Sequence, residues 1–177
     1  MPMAGLAVPI PASEAPGNFI TGALWNANVY NGLTFLLNPP AFLGYQGSAQ
    51  STPNNTATPI NLDSEQFDTY NGHSTSSNTS RYVAQVAGYY FVYGSVTWQT
   101  NASGIRVCQL AKNGTAVTGA YTATTTTSFN ATANTACIVQ LNANDYVEVW
   151  GNQNSGGALS TQTGATCSSM SCWFMHA

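Results

Sequence analysis

At 177 residues and 44% hydrophobic content, the chain has enough apolar material for one compact domain plus an appendage. Charged residues make up 5% of it, against roughly 25% in an average soluble protein. Its three basic residues, Arg81, Arg106 and Lys112, cannot build the positive footprint that phosphate neutralisation demands, so nucleic acid and anionic membrane surfaces are excluded as partners.

In chain order, Met1 to Asn18 is rich in Pro, Ala and Gly and reads as an extended, polyproline-like arm. It lacks a basic n-region, and Pro2, Pro9 and Pro11 cut its apolar run, so no secretory signal is expected. From Phe19 to Leu37 the apolar residues Ile20, Leu24, Val29, Leu33 and Leu36 or Leu37 recur at near-helical spacing, and Asn38-Pro39-Pro40 stops the element. This predicts a short amphipathic helix, weakened by Gly22 and Gly32, that must pack on something else to be stable.

After Pro40 come short strand-like runs separated by turn residues, the pattern of an all-β sandwich. The predicted strands are Phe42–Ala49, Pro59–Phe67, Arg81–Val86, Gly88–Thr100, Ile105–Lys112, Thr118–Thr126, Thr135–Leu141, Tyr146–Asn152 and Ser169–His176. Asn113-Gly114 suits a type I′ hairpin, and Asn142 to Asp145 is a second tight turn. Asn71–Ser80 and Asn152–Thr166 read as polar loops, the natural places for variable binding contacts. No run is apolar for long enough to span a bilayer.

The Gly88–Thr100 strand is unusual because both of its alternating faces are apolar or aromatic. Tyr90, Val92, Val96 and Trp98 share one face and suit a sandwich interior, while Tyr89, Phe91 and Tyr93 occupy the other. A second copy of the chain covering that face predicts an oligomer with Tyr89, Phe91 and Tyr93 at its interface. The alternative is an ordinary central strand with tyrosine hydroxyls at the surface. The low charge points the same way as the oligomer, since neutral hydroxyl and amide groups then supply the hydration of an assembly.

Catalytic chemistry is not legible. His73 and His176 lie beside no nucleophile signature and read as incidental. Asp63, Glu65 and Asp68 form the acidic cluster, with Asp63 and Glu65 on one strand face. A hard-cation site is conceivable there, but a charged strand edge that discourages unwanted pairing is the favoured reading, so no metal and no cofactor is expected. Cys108, Cys137, Cys167 and Cys172 lack zinc-site spacing and allow three disulfide pairings; Cys108 and Cys137 each align with apolar neighbours as small core residues. Asn-x-Ser/Thr triplets at Asn78, Asn101 and Asn130 are expected by chance in such a chain.

Several segments in order carry a family resemblance: Phe67-Asp68-Thr69; Arg81 to Phe91 with its Ala87-Gly88 corner; Val107 to Gly114; and Val139 to Val149 with its Asn-Asp turn. Together they resemble the C1q/TNF-like jelly roll over residues 42 to 177, although Ser168 to Met175 departs from that family's terminal Phe-Ser-Gly-Phe run. The resemblance implies a homotrimer whose inner sheets meet at a threefold axis. Phe19 to Val29, followed by Phe35 to Pro40, resembles the leader that precedes such jelly rolls in structural proteins of tailed actinobacterial phages.

The expectation is therefore a non-enzymatic virion protein in two parts. Residues 1–40 attach it through Ile20, Leu24, Trp25, Val29 and Leu33 to other virion proteins, or pack within the trimer. Residues 41–177 form a trimeric C1q-like head on the tail, fibre or capsid, in contact with a host cell-surface glycan or protein. The alternative is a secreted C1q-like binding module for a cell-surface protein or glycan.

Overall fold

The computed structural model describes residues 8–10, 15, 17, 19–126 and 129–177. Most of the expected arm, Met1 to Asn18, lies outside the described residues.

The helical segment opens at α1 (Gly22–Trp25), where Thr21 caps it by accepting a hydrogen bond from the Leu24 amide at 3.3 Å. A π-helical turn follows over Asn26–Tyr30, and then α2 (Asn31–Leu37). The π turn explains the spacing of the apolar residues. Leu24 and Val29 are five apart, a step that a regular α-helix would rotate off one face, and the wider turn makes both half-buried. Docking is done by Phe35, which packs edge-on against Phe174 at 5.1 Å and Tyr70 at 6.4 Å. Phe35 lies outside the apolar face predicted from the helical spacing.

The strands build two main sheets. We number them β1 (Ala41–Tyr45), β2 (Ser51–Thr52), β3 (Thr58–Pro59), β4 (Ser64–Asp68), β5 (Arg81–Val83), β6 (Gly88–Trp98), β7 (Ile105–Lys112), β8 (Thr115–Thr125), β9 (Ala131–Leu141), β10 (Tyr146–Gln153), β11 (Leu159–Ser160) and β12 (Ser169–His176). One five-stranded sheet runs β4-β1-β12-β6-β9. The other runs β3-β10-β7-β8, with β5 also on β10, and β11 pairs β2 as a small ribbon. Neighbouring strands in these sheets are antiparallel, and β6 against β9 is unbroken from Gly88↔Leu141 to Trp98↔Ala131.

The core lies between the sheets and follows the period of two. Tyr90, Val92, Val96 and Trp98 of β6 point inward, as expected, and meet Leu110 of β7, Val147 and Val149 of β10, and Met170 and Cys172 of β12. Gly94 breaks the aromatic run because the sheets approach closely there. A Cβ at this position would sit 2.6 Å from Val149 Cγ2 and 2.9 Å from Leu110 Cδ2.

Several expected boundaries change: Arg81–Val86 ends at Val83, Thr118–Thr126 begins at Thr115 and Thr135–Leu141 begins at Ala131. The predicted strand Pro59–Phe67 is two strands in different sheets: β3 pairs β10 and β4 pairs β1, and the crossing residues between them bury Ile60 and Leu62 completely. The predicted loop Asn152–Thr166 contains β11. The predicted strand Phe42–Ala49 stops at Tyr45, after which Gln46 is drawn inward by a bond from its amide to the Ser168 carbonyl.

Two predicted turns are clamped together. Asn113 and Gly114 have φ of 50° and 76°, as a type I′ hairpin requires. Asp145, in the other turn, accepts from Asn113 Nδ2 at 2.7 Å and the Asn142 amide at 2.7 Å, and pairs with Lys112 Nζ at 2.9 Å. The Lys112 ammonium first, then these two donors, hold its carboxyl down from 3.8 to about 2. A group whose folded value is depressed contributes stability above its unfolded value and loses it as pH falls through the folded one. Asp145→Asn is therefore expected to cost about 1 kcal/mol at pH 6, as for a well-made surface pair, and almost nothing near pH 2. Unfolding curves of both proteins at the two pH values check this.

Candidate binding surface

The outward side of the five-stranded sheet carries a cross-strand row of apolar side chains. Phe91 of β6 lies opposite Ile138 of β9 on one flank and Trp173 of β12 on the other. Their inward neighbours Val92, Val139 and Cys172 are buried, whereas Phe91, Ile138 and Trp173 are 45%, 54% and 54% exposed. Tyr93 and Tyr89 lie above and below Phe91 on the same face and are half-buried, the Tyr89 ring stacked on His176 at 4.8 Å. Phe67 at the β4 edge and Met175 of β12 add exposed apolar surface. Single exposed apolar residues are normal, but a contiguous row across three strands is the signature of a covered surface.

Sequence reasoning finds Tyr89, Phe91 and Tyr93 because they lie in one strand. It misses Ile138 and Trp173, which only strand pairing brings alongside. The alternation of Cys137, Val139 and Leu141 toward the core is the available signal that Ile138 faces outward.

Of the residues expected to attach the chain, Ile20, Trp25 and Leu33 are exposed, and Leu24 and Val29 are half-buried. Exposed Phe19, Leu36 and Leu37 join them. A groove of about 400 Å³ runs between the helical segment and the end of β12, lined by Val8, Val29, Leu33, Phe35, Phe174 and Met175, among others.

The carboxylates Asp63, Glu65 and Asp68 do not converge on one site, although Glu65 and Asp68 both engage His73. Asp63 accepts from the Gly47 amide, Glu65 pairs with His73 Nδ1 at 3.2 Å, and Asp68 accepts from the Tyr70 and His73 amides at 3.2 and 2.8 Å. Burial raises the Asp68 carboxyl above its ordinary value, partly offset by those two amides. Among the described residues no group of three His, Cys, Asp or Glu side chains is placed to hold a metal ion. His73 is a structural pin rather than an incidental loop residue. Its side chain is fully buried, its ring lies 4.8 Å from Phe42, and Nε2 is 3.1 Å from the Thr79 carbonyl. The four cysteines are free thiols; burial pushes Cys108 up to about 12 and Cys172 well above its ordinary value, which suits inert core residues.

A second concavity, of about 460 Å³, opens between the Asn71–Ser80 loop, β5 and the β9–β10 turn. Arg81 lies across it, its Cζ 4.1 Å from the Tyr146 ring centroid and its Nε donating to Glu148 at 3.2 Å. Glu148 is almost fully buried and also accepts from Ser80 Oγ at 2.8 Å and Trp150 Nε1 at 3.0 Å.

Two antiparallel sheets in this order, closed over one apolar core, define the jelly-roll class. The C1q domain model matches residues 41–175, and the chain belongs to the C1q domain family. No curated protein sequence matches it. Among solved structures it is similar to the globular domain of zebrafish complement 1qA, at TM-score 0.53 and 11% identity over 77% of this chain and 98% of that one. It is also similar to murine APRIL at pH 8.5 (0.58, 10%, 77% and 98%) and to the Eiger TNF of S. frugiperda (0.59, 13%, 76% and 91%). At these identities the likeness concerns the fold. Domains of the C1q/TNF family are generally binding or structural modules rather than enzymes, and they typically form homotrimers.

Proposed function

We propose that the chain is a non-enzymatic, homotrimeric C1q-like head displayed on a virion surface. The single observation that carries the oligomeric part is the exposed row Ile138–Phe91–Trp173 with Tyr89 and Tyr93 beside it. Covering each large ring is worth roughly 1.5 to 3 kcal/mol, and three copies repeat the gain. Family habit supports a threefold rather than a twofold arrangement.

Residues 1–40 serve as the attachment segment. Support comes from the exposure of Ile20, Trp25 and Leu33 on a helical segment that docks on the domain through Phe35. The virion setting rests on the resemblance of Phe19–Val29 and Phe35–Pro40 to phage leader segments. Multi-angle light scattering of the purified protein is expected to give three times the chain mass of 18.6 kDa. A stable, non-aggregating monomer at micromolar concentration removes the assembly. Mass spectrometry of purified particles should find the chain at a fixed copy number, and its recovery only from the culture fluid would transfer the reading to a secreted binding module.

A further inference from the structure

We infer that the concavity beside Arg81 binds a saccharide carrying a carboxylate. This deepens, and rests on, the reading of the chain as a surface-contacting head.

Of the three basic side chains, two have their terminal nitrogens turned onto protein acceptors, although Arg106 Nε itself is buried without a partner. Lys112 is consumed by Asp145 and the Gln140 carbonyl, and Arg106 is buried on the carbonyls of Asn101, Ser103 and Ile105. Arg81 differs. Glu148 takes its Nε and Tyr146 supports its plane, while Nη1 and Nη2 meet no protein acceptor among the described residues. The two contacts hold the guanidinium plane in place and leave its terminal fork open, and a carboxylate is a partner whose two oxygens match such a fork with two parallel bonds, as phosphate oxygens also can.

The local charge does not oppose an anion, because Glu148 balances Arg81 from beneath and no carboxylate lines the opening. The chain carries a net charge of −3, yet no Asp or Glu is among the described residues lining this concavity. Nearby carboxylates are already engaged: Glu148 beneath by Arg81, Ser80 and Trp150, Asp145 by Lys112, and Glu65 by His73. An incoming anion therefore meets the unbonded Nη donors of Arg81 and no competing free carboxylate.

Neutral polar groups surround the fork. Asn71, Asn78 and Asn144 line the concavity with exposed amides that bond to no described protein group, and each offers both donors and an acceptor. All three sit at backbone turns with φ of 53°, 49° and 73°. Such side chains suit a ligand rich in hydroxyls, because a hydroxyl both donates and accepts. A carboxylate on a hydroxylated ring satisfies the fork and the amides together, which an inorganic anion or an apolar peptide does not.

The test is calorimetric titration of the full-length protein with short oligosaccharides of glucuronic acid, galacturonic acid and N-acetylmuramic acid, each beside its carboxyl methyl ester. At least one acid is expected to bind, and its ester to bind about 10- to 100-fold more weakly. Arg81→Lys keeps the charge but loses the fork, and should weaken the acid by about tenfold. Asn78→Gly and Asn144→Gly remove amides while keeping the left-handed backbone, so they should weaken the acid and its ester alike without changing the melting temperature. No binding by any of the three acids, equal binding of acid and ester, or unchanged binding by Arg81→Lys each overturns the proposal. Light scattering on the same samples separates the two readings. Failure of binding by an intact trimer overturns the pocket alone, and binding by a monomer overturns the assembly alone.

Discussion

Phe91→Asp combined with Trp173→Asp is expected to turn the proposed trimer into soluble monomers. The two rings are cross-strand partners in the exposed row, so in the proposed trimer both positions would face apolar surface. An unpaired carboxylate forced into such a contact costs several kcal/mol, and each 1.4 kcal/mol is tenfold in affinity, so dissociation should rise by at least about three orders of magnitude. The monomer itself should remain folded, because both side chains are about half exposed and surface changes of this kind usually stay within about 0.5 kcal/mol. Sedimentation velocity reads the first effect and a thermal melt of the diluted protein the second. Ser76→Asp in the Asn71–Ser80 loop is the control and should leave the trimer whole. A double variant that still sediments as a trimer would place the interface on a different face.

Trp98→Ala is expected to destabilise the fold itself, by about 3 to 5 kcal/mol. Trp98 ends β6, is fully buried, and donates from Nε1 to Thr52 Oγ1 at 3.1 Å. Thr52 Oγ1 in turn donates to the Leu159 carbonyl at 2.7 Å, and Gln153 Nε2 reaches the Thr52 carbonyl at 3.0 Å. The indole thus fills the end of the sandwich and holds the β2–β11 ribbon against it. Trp98→Phe keeps most of the ring and loses the donor, so it should cost about 1 to 2 kcal/mol. Denaturant unfolding gives both numbers. Faster amide exchange in Thr52 and Leu159 of Trp98→Phe, without global unfolding, is the expected local signature. A loss under about 1 kcal/mol for Trp98→Ala, well below the usual cost of emptying a buried aromatic site, would mean that the ribbon closes that end without the indole.

These two residues also mark what can and cannot be read from the chain before it folds. Trp98 and Phe91 lie on opposite faces of one strand, and the period of two assigns the first inward and the second outward without any structure. The Asn113-Gly114 hairpin is legible for a similar local reason, because a pair with positive φ admits few residue types. The β2–β11 ribbon is not: its strands are two residues each, and their residues are held by a tryptophan and a glutamine distant in the chain.

The open fork of Arg81 is hidden in the same way. A sequence displays an arginine as a free cation, whereas its state depends on Glu148 and Tyr146, which reach it only when β5 pairs with β10. His73 and the acidic cluster go the opposite way, since residues that look available for chemistry are taken up by Phe42, Thr79 and backbone amides.

By itself, then, the sequence determined the all-β class, the inward faces of β6, β7 and β9 and the tight turns, because these depend on side-chain periodicity and backbone sterics within a few residues. The tertiary structure alone decided that Ile138 and Trp173 flank Phe91, that Pro59–Phe67 divides between two sheets, and that Arg81 keeps an open fork. Each of these depends on strand pairing between residues far apart in the chain, and local propensity carries no record of that pairing.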